Sequence, residues 1–115
     1  MHELSIAMSI VEIASEEAER RHARIAAVYM QLGALSGVVK DALEFSWQIA
    51  CEGTPLAGAR LEVEEIPVSV WCDACNAQRE LAGPFEMVCP ACGAVVMEIR
   101  RGRELEVKAL EIEDA

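Results

Sequence analysis

The chain is short of positive charge. Ten Lys and Arg stand against 20 Asp and Glu, a formal net charge of −10 over 115 residues, and there are only two histidines. Nucleic-acid binders neutralise phosphates with Lys and Arg, so this balance argues against nucleic acid and favours cations or basic protein surfaces as partners. The plain reading of most of these carboxylates is solubility. Long apolar runs are missing as well: no stretch reaches the ~18 residues of a membrane span. Glu3 stands where a secretory signal would be positive. The expectation is therefore a cytoplasmic chain with no membrane association. Repeats and low-complexity tracts are absent too.

What is present is enough to fold. Hydrophobic residues make up 53% of the chain, so a packed core is available and disorder is not expected. The length allows one modest core, or a small core with a second module held by something other than burial.

Residues 4–19 read as an amphipathic helix. Leu4, Ala7, Met8, Val11, Ala14 and Ala18 form its inner stripe, which Ile6, Ile10 and Ile13 widen. Arg20, Arg21, His22 and Arg24 close it with charge that suits a helix C-terminus. His22 has no nearby ligand partners in sequence and reads as a turn residue. Ile25 to Leu32 reads as a covered strand, and 33–37 as a loop. A second helix is expected over 41–51, with Asp41 as its cap and Glu44 three residues on. Val38, Ala42, Phe45 and Ile49 would be its inner stripe. Alternation over 60–65, and again from Glu104 to Ala109, predicts two strands with one wet face each.

The stretch 67–103 differs in kind. It carries two Cys-x-x-Cys pairs, Cys72 with Cys75 and Cys89 with Cys92, thirteen residues apart. It is too small for a self-sufficient core. The predicted organisation is an α/β (α+β) domain over 1–66 plus 104–115, interrupted by an insertion at 67–103.

Two such knuckles wrap a tetrahedral metal shell from both sides, and four thiolates are a structural zinc set. Gly93 and Asn76, each just past the second sulfur of its knuckle, tolerate the positive φ that such turns require. In a reducing compartment, metal is a better reading of these cysteines than disulfides. A redox enzyme would need a base beside its cysteine, and no His, Asp or Lys constellation surrounds these. Cys51 lies outside the quartet and reads as a buried free thiol. Zinc by itself names no function, since ribbon modules serve docking, scaffolding and nucleic-acid binding alike. Arg100, Arg101 and Arg103 read as a solvated loop or a docking patch.

The chain starts Met1-His2-Glu3. A free amine with an ordinary pKa of about 7.7 loses its proton cheaply near neutral pH. The His2 imidazole and the amide nitrogen between them complete a chelate of fused rings, to which the Glu3 amide nitrogen could add a fourth donor. Ni²⁺ and Cu²⁺ favour such planar nitrogen sets. A histidine at position 2 is more often incidental than functional, so the residues alone leave this site open.

With these features together, the whole chain resembles the HypA/HybF family of hydrogenase-maturation nickel metallochaperones. The resemblance rests on Met1-His2-Glu3-Leu4-Ser5, the quartet at Cys72, Cys75, Cys89 and Cys92, and the stretches 33–38 and 51–63. It implies two helices packed on a three-stranded sheet, with an inserted zinc-ribbon-like domain holding zinc by four cysteines. It implies Ni²⁺ as cargo, bound by Met1 and His2 with Glu3 contributing through its backbone, and no enzymatic activity. The implied partners are a HypB-type GTPase, the [NiFe]-hydrogenase large subunit and, in some organisms, urease accessory proteins, for a monomer or weak homodimer. Val39-Lys40 departs from the acidic-proline pair expected at the start of the second helix. The competing reading is a zinc-ribbon adaptor or nucleic-acid-binding module in which His2 is idle.

Overall fold

The computed structural model describes residues 2–83 and 86–114, with Asp114 as backbone alone. The elements run α1 (Glu3–Arg21), β1 (Ala23–Gly33), α2 (Lys40–Cys51), β2 (Arg60–Ile66), β3 (Ser69–Cys72), β4 (Ala77–Glu80), β5 (Glu98–Arg101) and β6 (Leu105–Asp114). Two three-stranded sheets result, ordered β2-β1-β6 and β4-β3-β5. The chain divides into two compact units. One comprises Met1–Met30, Val38–Glu64 and Glu106–Ala115, the other Gln31–Gly37 and Glu65–Leu105. Among the described residues no helix is long and apolar enough to cross a membrane.

In the first unit the helices pack against each other. The buried line of α1 is Ala7, Val11, Ala14 and Ala18, one narrow stripe at helical spacing. The wider stripe read from sequence does not hold: Leu4, Met8 and Ile13 are 41%, 57% and 69% exposed. Three alanines in the contact line allow close approach of the backbone, which leaves the bulkier side chains at its flanks. His22 ends the helix in the left-handed conformation, its N–H directed at the Ala18 and Glu19 carbonyls.

The inner face of α2 is also corrected. Leu43, Trp47 and Cys51 are buried, whereas Phe45 is 69% exposed and Ile49 48%. The i, i+4, i+8 stripe wins because Trp47 fills the interior and its Nε1–H finds the Ala59 carbonyl at 2.9 Å. The helix begins at Lys40 with Val39 as its cap residue. Asp41 therefore lies within the first turn, where it faces the positive end of the helix dipole instead of capping it. The cap comes from elsewhere in sequence: the Glu3 carboxylate accepts the Val39 N–H at 3.2 Å. This bond ties the start of α1 to the start of α2.

The second unit is built on β3. It pairs with β4 in a tight antiparallel hairpin, with Cys72 opposite Ala77 and Val70 opposite Arg79. On its other edge it pairs with β5, Val70 opposite Ile99. Val68, Val70, Cys72, Leu81, Cys89 and Val96 make a small core, flanked by Leu35 and Ile99. The 33–35 strand end belongs to this unit through main-chain bonds: Gly33 N–H to Glu104 O at 2.7 Å and Leu35 N–H to Gly102 O at 2.6 Å. A Cβ at Gly33 would stand 2.2 Å from the Gly102 oxygen, so the crossing requires glycine.

The two faces of α2 give a direct check on this packing. Leu43→Ala should cost about 2–5 kcal/mol, and Phe45→Ala should stay within about 0.5 kcal/mol, by urea denaturation. Equal losses would contradict the assignment of the inner face.

Candidate metal centre

Each half of the centre is a short knuckle whose backbone bends where the sequence allows it. Cys72 ends β3 and Cys75 lies in the turn to β4. That turn is closed by the Asn76 N–H on the Asp73 carbonyl at 3.3 Å, with Asn76 at φ +53°. In the second knuckle the Gly93 N–H meets the Cys89 carbonyl and the Cys89 N–H meets the Ala94 carbonyl, each at 2.8 Å, with Gly93 at φ +77°. A single antiparallel bridge, Val88 to Val95, closes its base. The two residues singled out for positive φ are the ones that adopt it, and the physical reason is the same for both: the turn must bring the second sulfur back over the first.

The four sulfurs converge. Those of Cys72, Cys75, Cys89 and Cys92 all lie within 4.8 Å of one another. The Cys72–Cys92 separation is 3.6 Å and the Cys75–Cys89 separation 3.8 Å. These are too long for a disulfide. They match the edge of a tetrahedron with metal–sulfur bonds of about 2.3 Å, which is about 3.8 Å. All five cysteines are free thiols. Cys72 and Cys89 are buried, Cys75 is half-buried and Cys92 exposed, so the centre is seated in its small core with one corner toward solvent.

The thiols influence one another. Burial pushes the Cys89 thiol up, but the amides of Cys92 and Ala91 and the neighbouring thiols outweigh it and bring it down to about 6. For Cys92 the Ala94 amide acts downward, yet the thiols of Cys75 and Cys72 and burial raise it to about 12. One thiolate forms readily and discourages the next. Four thiolates side by side therefore need a cation among them, and a divalent ion of zinc's size and softness fits this donor set.

The N-terminal candidates are placed differently. Met1 lies outside the described residues. His2 is exposed and is the cap residue of α1, its carbonyl accepting the Ile6 N–H at 3.2 Å. The Glu3 carboxylate is engaged by Val39, and that N–H, followed by Glu3's own, holds its pKa below the ordinary 4.5. Among the described residues the cysteine quartet is the group of His, Cys, Asp and Glu side chains that converges on a metal-sized space. A metal at His2 would have to draw on main-chain nitrogens.

Residues outside these sites are accounted for. Cys51 is buried, and burial raises its thiol to about 11. Arg100 lies 5.0 Å over the Trp71 ring and bonds Glu98, and Arg101 reaches Glu104 at 3.7 Å. These arginines are matched by local acids rather than presented as a phosphate-binding stripe. Arg79, on the face of β4 opposite Val70, carries a buried Nε without a partner. An arginine four residues past Cys75 gives no signal in the sequence by itself.

The Glu3 link has a pH signature. A carboxylate whose folded pKa is lowered stabilises above its unfolded pKa and loses that contribution as pH falls through the folded value. Glu3→Ala should lower Tm at neutral pH, and the difference from the parent should close as pH drops below 4.5. A difference that persisted unchanged into acid would show that the carboxylate charge is irrelevant.

Comparison with known proteins adds a consistent set. The family described as "Hydrogenase/urease nickel incorporation, metallochaperone, hypA" matches residues 1–112. A hydrogenase maturation factor HypA of Chloroflexus aurantiacus is 56% identical over 112 residues, covering 96% of this chain and 98% of that protein. The HypA of a Roseiflexus species is 50% identical over 115 residues, covering 99% and 94%. Among solved structures, the solution structure of a HypA protein superposes with a TM-score of 0.70 at 24% identity, covering 100% of this chain and 98% of the other. That of the Ni metallochaperone HypA from Helicobacter pylori gives 0.62 at 23%, covering 97% of each. At those identities the structures speak for the fold.

Proposed function

The chain belongs to the HypA family of nickel-incorporation metallochaperones, hydrogenase maturation factors rather than enzymes, and from that premise we propose how it carries its cargo. Ni²⁺ is bound at the N-terminus by the Met1 amine, the His2 imidazole and amide nitrogen, and the backbone of Glu3. Zn²⁺ is held by Cys72, Cys75, Cys89 and Cys92 as a structural ion. In sequence the nickel-binding domain is taken as 1–66 plus 104–115 and the zinc-binding domain as 67–103, while 31–37, 65–66 and 104–105 group with the second compact unit.

The observation that carries the nickel reading is the state of His2. It is exposed at the start of α1, where the first N–H groups of a helix have no intrahelical acceptor. A metal that displaces the His2 and Glu3 amide protons there breaks no helical hydrogen bond. Glu3 adds rigidity: with its carboxylate on Val39, its backbone is anchored while its side chain stays off the metal. A planar set of nitrogens is open on both faces, so an acceptor's ligands can approach before the donor lets go. Protonation of amine and imidazole loosens the ion, and affinity falls with pH. A closed thiolate shell has the opposite property and suits an ion meant to stay.

The chain works within the hydrogenase maturation machinery as its family does. We propose a HypB-type GTPase as its immediate partner and the [NiFe]-hydrogenase large subunit as the recipient in the cytoplasm, with urease accessory proteins as a further outlet.

Two substitutions separate the sites. His2→Ala, or one residue added before Met1, should abolish Ni²⁺ binding in titration calorimetry of untagged protein, with the zinc-to-protein ratio still one. Cys72→Ser should release zinc and unfold 67–103, seen as lost amide dispersion in that segment. Retained nickel affinity in the first variant would sink the N-terminal site, and retained zinc in the second would sink the four-thiolate site.

A further inference from the structure

We propose that Arg79 is the charge partner of the four-thiolate centre, donating guanidinium N–H groups to the sulfurs of Cys75 and Cys89 and withdrawing electron density from them. The inference rests on the zinc reading above and concerns what holds and shields that ion.

Strand register places the residue. Ala77 pairs with Cys72 and Arg79 with Val70, and paired residues in an antiparallel ladder share a face. Arg79 is thus on the side of β4 that carries Cys72 and Val70, both buried. Gln78 and Glu80 turn outward. The Arg79 Nε is buried with no partner among the described residues, so the contacts of the guanidinium must come from its outer nitrogens. Hydrogen bonds to the sulfurs of Cys75 and then Cys89 raise its pKa above the ordinary value. The separation of those sulfurs, 3.8 Å, suits a planar fork that reaches two acceptors at once. Arg100 and Arg101, on the far strand β5, pair with carboxylates; Arg79 turns to sulfur.

The chemistry follows from charge. A divalent ion with four thiolates leaves two negative charges in a partly buried site. One guanidinium halves that. N–H groups on sulfur also make a thiolate a poorer nucleophile, so alkylating and oxidising agents attack it more slowly. Arg79 therefore acts through the ligands as a positioning residue, protecting the zinc from loss by attack on its sulfurs.

The test uses full-length, zinc-loaded protein, with Arg79→Met, Arg79→Gln and Arg79→Lys beside the parent. With zinc still one per chain and the circular dichroism unchanged, alkylation by iodoacetamide should run about tenfold faster in the Met and Gln variants, with Lys intermediate. Cobalt-substituted protein should show the sulfur-to-metal charge-transfer bands moved to longer wavelength in the same order. Unchanged rates and bands would overturn the inference while leaving the zinc site intact, and a parent that held no zinc would instead overturn the reading beneath it. Should the variants not fold, the cadmium-loaded parent decides: the Arg79 side-chain protons should exchange slowly with solvent and couple to the metal nucleus. Fast exchange without coupling would contradict the proposal.

Discussion

The convergence of four sulfurs within 4.8 Å is the constraint on which the second unit depends. Among the described residues its buried core is six side chains, two of them cysteines of the quartet, and burial on that scale does not offset the ordering of a unit that spans Gln31–Gly37 and Glu65–Leu105. Thiols that resist joint ionisation, with Cys89 near 6 and Cys92 near 12, also do not hold themselves together. A cation among them turns mutual repulsion into a crosslink between two knuckles 13 residues apart. The hairpin register, the positive φ at Asn76 and Gly93 and the contact of Arg79 with sulfur all serve that convergence.

The first unit meets the opposite demand. The nickel site proposed for its N-terminus has to be reversible, yet a frayed helix end would bind nothing selectively. The Glu3–Val39 bond answers this by fixing the helix start through a side chain, while the first main-chain N–H groups make no helical hydrogen bond. The two sites differ less in affinity than in closure: one has four protein ligands and a single corner toward solvent, the other would lie on an edge.

Features with local causes are legible in the sequence, and those with non-local causes are not. The cysteine spacing, the turn residues Asn76 and Gly93 and the alternation over 60–65 were legible because each depends on a few neighbouring residues; the last strand also forms, but Val107, on the face its alternation would cover, is 43% exposed. The inner faces of the helices were less so. Phe45 and Ile49 have the hydrophobicity of core residues, but Leu43 and Trp47 hold the interior, and only the packing of α1 against α2 decides between two apolar stripes. The α2 cap was misread for the same reason. Asp41 is the cap that local rules favour, and the group that does the work, Glu3, is 36 residues away. Arg79 left no trace in the sequence at all, since its meaning comes from strand register.

X-ray absorption at the nickel and zinc edges of untagged protein loaded with both metals tests the central claim most directly. The expected result is one zinc per chain with four sulfur ligands at about 2.3 Å and one nickel with nitrogen donors and no sulfur. Sulfur on the nickel, or zinc displaced as nickel is added, would contradict it.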